Sequence, residues 1–270
     1  MRADMTLNNG NGSPKDVAIV ARKPAPYGII GLCVSVVVAI VIAVALMAVI
    51  TGSVYLAIVI LHGKAAAKAN ATAILTALEA NNEFGVAPLG LGTYFYAAAL
   101  AGIVLVALWR GGKNWRDLIA WRPPLWPVRD KVLWLLAATG LIYGLASSAA
   151  LGYFYPKSNT WLLIPRDPVA AGLLLVMAAI MAPVAEETYF RGWIFTSLRA
   201  RWGRWPAIVV SALLFGLAHY ESTHLYALAV FPLGLVLAGL RERTGSAGTS
   251  MLFHAANNLI AFLSASMAGS

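Results

Sequence analysis

Seven apolar runs divide this chain, and they constrain its fold more than any other feature. They cover roughly Tyr27 to Leu61, Leu91 to Trp109, Val132 to Tyr155, Val169 to Ala185, Pro206 to His219, Leu225 to Leu240 and Ser250 to Ala265. A bilayer core of ~30 Å takes about 20 helical residues, so the first run is generous and the last four are short. Only helices or closed barrels satisfy their backbone groups in lipid, and these uninterrupted runs lack the alternation of barrel strands. The expected fold is all-α, a polytopic bundle of about seven membrane helices. Short runs beside ionisable residues further point to a cavity rather than lipid on every side.

Composition agrees. With 60% hydrophobic and 11% charged residues and a mean hydropathy of +0.75, the chain lies outside the range of a soluble domain. A net charge of +9 raises the question of nucleic acid, but the basic residues lie between the apolar runs and form no stripe, so no nucleic-acid partner is expected. The single cysteine, Cys33, excludes an internal disulfide and a cysteine-ligated zinc site, and reads as a small buried hydrophobe.

Lysine and arginine set the expected topology. The N-terminal segment, the loop after the second run, and the segments after the fourth and sixth runs hold 16 of the 20 basic residues; the other segments hold Lys64, Lys68, Lys157 and Arg166. The positive-inside bias then puts the N-terminus in the cytoplasm and the C-terminus outside, in a plasma or inner membrane. Residues 1–26 are polar and turn-rich and read as a disordered cytoplasmic segment, 27–167 as N-terminal membrane helices and loops, and 168–265 as a second bundle. The first run is read as one long helix or as broken at Thr51-Gly52-Ser53. Lys64 to Phe84, rich in alanine, predicts a helix outside the membrane. Trp115 to Arg122 reads as a segment at the lipid headgroups, and Tyr153, Tyr155 and Trp161 as an aromatic belt.

Chemistry concentrates at Ala185-Glu186-Glu187-Thr188-Tyr189-Phe190-Arg191-Gly192, at the end of the fourth run. Ionisable side chains at membrane depth are costly and mark functional sites. On a helix Glu187 and Arg191 share a face and suit an ion pair, while Glu186 sits about 100° round, free of it. Pro183 should kink the helix just before the acids. The fifth run ends in Phe215-Gly216-Leu217-Ala218-His219, and the seventh holds His254 and Asn258 one turn apart, with Asn257 assigned to interhelical hydrogen bonding. A structural ion-pair cluster and polar glue between helices would use the same residues. Together they also supply a carboxylate base, two imidazoles and an amide donor, the parts needed to attack a carbonyl with water.

Glu-Glu-x-x-x-Arg at Glu186, Glu187 and Arg191, Phe-x-x-x-His at Phe215 and His219, and His-x-x-x-Asn at His254 and Asn258 follow the order seen in the CPBP family. The chain thus resembles intramembrane proteases related to the CAAX prenyl endopeptidases and to bacteriocin-processing and immunity proteins. The resemblance covers about Val169 to Leu263. It implies an endopeptidase in a helical bundle acting on a membrane-associated or lipidated peptide or protein. It also implies roles: Glu186 as the water-activating acid, His219 and His254 as catalytic histidines, Asn258 as the oxyanion-stabilising amide, Glu187, Arg191 and Phe215 as support. Zinc is left open by the motif. Glu186, His219 and His254 form an acceptable catalytic zinc set, with Glu186 then a ligand and not a base.

A non-proteolytic immunity or scaffold protein, or a transporter using the acids as a relay, is the competing class, although no inverted repeat is visible. One spacing conflicts with the protease reading. If the fourth helix ends at the acids and the fifth begins at Pro206, His219 lies ~20 Å away along the fifth helix. The two meet only if the fourth helix continues past Arg191, or if Trp193 to Trp205 dips back in.

Overall fold

The computed structural model describes residues 29–79, 85–154, 164–220 and 225–268. These form seven helical rods and no strand. The first is α1 (Ile29–Glu79), the second α2 (Val86–Gly111), followed by a single turn, α3 (Trp115–Leu118), and by α4 (Lys131–Phe154). The next rod is composite. It joins α5 (Pro168–Val176), a π turn (Met177–Met181), α6 (Ala182–Glu187), a second π turn (Thr188–Ile194) and α7 (Phe195–Trp202). Then come α8 (Arg204–Ala218), α9 (Leu225–Thr244) and α10 (Ala247–Ala268).

Among the described residues three stretches are long and apolar enough to cross a membrane: Ile30–Thr76, Val86–Leu118 and Pro168–Trp202. The protein is an integral membrane protein. Lys131–Ser147 and Arg204–Ala218 are shorter apolar helices.

The α1 helix is long because nothing in its valine- and alanine-rich sequence stops it before Gly63. There φ is 84° and ψ 164°, so the break falls at Gly63 and not at Thr51-Gly52-Ser53. A glycine adopts such a φ without steric cost, whereas Gly52 remains helical. The alanine-rich continuation is helical to Glu79, as its composition predicts. Small residues bring α1 against α2: Leu32, Ser35, Ala39 and Ala43 are buried, and a β-carbon on Gly102 would collide with the Ala39 carbonyl. Tyr94 ties the pair further, its hydroxyl shared between the carbonyls of Leu46 at 3.1 Å and Met47 at 3.0 Å. Cys33 corrects the sequence reading. It is exposed on the face of α1 that also carries Val34, Val37 and Val41, because a membrane helix turns apolar residues outward as well as inward.

In the Trp115–Arg122 segment the charged side chains are exposed, and Arg122 pairs with Asp117 at 3.0 Å. Ile119 is buried in the cluster that holds Trp193, and the chain beyond it is bound to the start of α10: Ala247 N–H donates to Ala120 O, and the Ser246 hydroxyl to the carbonyls of Arg122 and Pro123. Asp130 then caps α4 by accepting from Val132 and Leu133 N–H, and the Arg243 guanidinium beside it holds its carboxyl below the usual range.

Tyr153 is exposed near the end of α4. Tyr155, Trp161 and the N-terminal segment 1–26 lie outside the described residues.

A core of Phe190, Phe195, Phe215, Leu237, Leu240 and Phe253 joins the composite rod to α4, α8, α9 and α10. Gly234 and Gly216 allow α8 and α9 to approach closely, since β-carbons there would lie 3.2 Å from Ala212 and 3.1 Å from the Ala227 carbonyl.

Candidate active site

The spacing conflict disappears because the fourth helix does not end at the acids. Helical structure runs unbroken from Pro168 to Trp202, so Glu186 and Glu187 lie near its middle, at the depth of the C-terminal end of α8. Asp167 starts the rod by accepting from Ala170 N–H at 2.7 Å, with Pro168 in the first turn.

Pro183 acts through hydrogen bonding. In the first π turn Ala182 N–H donates to Met177 O, five residues back. The carbonyl of Ala178 therefore faces the next residue in line, Pro183, which has no N–H. Asn258 of α10 supplies the missing donor, its Nδ2 lying 2.8 Å from Ala178 O. The second π turn is handled the same way: Phe195 N–H donates to Phe190 O, and the Arg191 carbonyl accepts from Arg241 Nε of α9 at 3.2 Å. Side chains of the last two helices thus hold both irregular turns that flank the acids.

Glu187 and Arg191 are fully buried and paired, with Nη1 3.1 Å from Oε1. The same oxygen accepts from His254 Nδ1 at 3.0 Å. Arg191 Nη2 reaches Gly234 O at 3.0 Å, and its guanidinium lies over the Phe215 ring, 4.2 Å from the centroid. The second acid is thus the anchor of three helices. A carboxylate only accepts, so Nδ1 of His254 carries its proton and Nε2 is the nitrogen left for other work.

Glu186 is held differently. Its Oε1 accepts from the Tyr96 hydroxyl of α2 at 2.8 Å. Its Oε2 makes no hydrogen bond and faces His219 Nε2 at 3.7 Å. His219 Nδ1 lies 2.8 Å from the Phe215 carbonyl, which can only accept, so Nδ1 donates there and Nε2 is the nitrogen turned towards Glu186. The Glu186 and His219 side chains are 12% and 20% exposed, while Glu186 Oε2 itself is buried. A water admitted beside Oε2 can donate to it.

Phe215 separates the two halves, with the His219 ring tilted against it at 4.7 Å, His254 at 5.7 Å edge-on and Arg191 over its face. The structure therefore joins Glu186, Glu187, Arg191, Phe215, His219 and His254 through contacts, while Asn258, one turn after His254 on α10, is held at Ala178, about two turns before Glu186. Asn257 also serves packing: a β-carbon on Gly144 of α4 would lie 2.5 Å from its Oδ1.

The residues named for zinc are not gathered as a ligand set. Among the described residues no group of three or more His, Cys, Asp and Glu could hold a metal ion. Tyr96 and Gly234 are contacts that sequence reasoning missed. The only signal was a pair of tyrosines, Tyr94 and Tyr96, in the middle of an apolar run.

Fold and site together define an α-helical membrane protein with a carboxylate and histidine centre sunk in its bundle. Comparison with known proteins agrees. Residues 168–260 match the family model for type II CAAX prenyl endopeptidase Rce1-like proteins. An uncharacterized 24.3 kDa protein of Escherichia coli is 31% identical over 128 residues, spanning 46% of this chain and 59% of that relative. No solved structure matches significantly.

Proposed function

We propose that the protein is an intramembrane endopeptidase that hydrolyses a peptide bond with water activated by Glu186. The supporting observation is Glu186 Oε2, a buried acceptor with no hydrogen-bond partner among the described residues, which faces His219 Nε2 at 3.7 Å. Water held between them loses a proton to Glu186 as its oxygen attacks the carbonyl carbon. The resulting oxyanion is met by the second Nδ2 hydrogen of Asn258, the first being held by Ala178 O. Protonated Glu186 then returns the proton to the leaving amine as the C–N bond breaks.

The substrate is a membrane-associated or lipidated peptide or protein, since the site lies at membrane depth in a rod that spans Pro168–Trp202. The charge distribution supports a cytoplasmic N-terminus and a plasma or inner membrane location. Comparing membrane peptides from cells carrying the wild type with those carrying Glu186→Ala tests the reading. Intact precursors should accumulate in the variant. Identical peptide profiles, with full biological function retained, would favour a non-proteolytic immunity, scaffold or transport role.

A further inference from the structure

We infer that Tyr96 is a positioning residue for Glu186, supplied by a helix outside the family segment. This rests on the proposed role of Glu186 as base. Tyr96 belongs to α2, far before residue 168, yet its hydroxyl is the only hydrogen-bond donor within 3.5 Å of the Glu186 carboxylate among the described residues. A phenol has one hydrogen, and the geometry directs it to Oε1 at 2.8 Å. The two carboxylate oxygens are thereby made unequal. Oε1 is held, and Oε2 is turned towards His219 Nε2.

Two consequences follow. The first is orientation: without the hydroxyl, rotation about the last side-chain bond lets either oxygen face His219 or neither. The second is electrostatic, because a hydrogen bond to the charged form of a carboxylate favours that form. Tyr96 thus donates to one oxygen and leaves the other, which faces His219, without a donor. The N-terminal half of the chain completes the centre, and α2 is placed to do so by the close Gly102 to Ala39 approach and by the Tyr94 bonds to α1.

The test is a pH titration of the purified full chain in detergent by infrared difference spectroscopy. The carboxylic acid band of Glu186 is assigned by its loss in Glu186→Gln. In Tyr96→Phe the midpoint of that band should move up by about one pH unit, the size expected for a lost hydrogen bond to a charge. The acid limb of the pH dependence of kcat/KM should move with it. Tyr94→Phe, which removes a hydroxyl from the same helix, should lower the melting temperature and leave the midpoint in place. An unmoved midpoint in Tyr96→Phe, or an equal movement in Tyr94→Phe, overturns the assignment. A moved midpoint in a protein that cleaves nothing would uphold the Tyr96 contact and defeat the protease reading instead.

Discussion

Glu186 and Glu187 are adjacent in the chain but belong to separate networks, the first bonded to Tyr96 of α2, the second to Arg191 and to His254 of α10. One helical step separates a carboxylate bonded to a tyrosine and facing a histidine from one fully buried in an ion pair. Their substitutions should therefore differ in kind. Glu187→Ala leaves Arg191 buried without its counterion and His254 without its acceptor, and removing one partner of a buried pair costs about 3 to 5 kcal/mol. Melting in detergent should show that loss, with activity falling alongside. Wild-type stability in Glu187→Ala would contradict the network.

Asn258 and Pro183 should be coupled although they lie on different rods. Asn258→Ala leaves the Ala178 carbonyl unsatisfied, a cost of about 1 to 3 kcal/mol. In a Pro183→Ala background the main chain regains an N–H for that carbonyl, so the same substitution should cost less than half as much. A double-mutant cycle on unfolding free energies measures the difference. Additive effects would mean that the proline does not create the need for the amide.

Gly102→Ala tests how the N-terminal rods are held. Its β-carbon meets main chain at Ala39, which cannot move aside as a side chain would, so overpacking should cost about 1 to 3 kcal/mol. The equivalent change at Gly90, where nothing lies within 4 Å, should be nearly neutral. Comparable stabilities for the two variants would argue against the α1 and α2 packing.

Much of this arrangement was legible in the sequence because it is local. The Glu187 to Arg191 pair follows from helical spacing, and the apolar runs follow from hydropathy. The length of the composite rod did not follow, because hydropathy falls at Glu186-Glu187 and Arg191 and imitates a helix end. Buried in a pair, those charges let the helix continue to Trp202. Tyr96 was invisible for another reason: its partner is 90 residues away, and nothing in an apolar run tells a belt tyrosine from one aimed inward. Cys33 and the Gly63 break show the same limit, since run length says nothing of which face meets lipid or which glycine leaves helical geometry.

Topology can be checked independently. A reporter fused after Arg122 should read as cytoplasmic and one after Ser270 as external, given that 16 of the 20 lysines and arginines lie in alternate segments. A cytoplasmic C-terminus would mean that one of the shorter rods does not cross.

The most direct measurement compares wild type and Glu186→Gln, purified in the same detergent, for melting temperature and for cleavage of a membrane peptide, each with and without a metal chelator. Glu186→Gln keeps the shape and the Tyr96 contact but removes the base. The account predicts a variant at least as stable as wild type whose cleavage falls by about 100-fold or more, and a wild-type rate that the chelator leaves unchanged. Full cleavage by Glu186→Gln would contradict it.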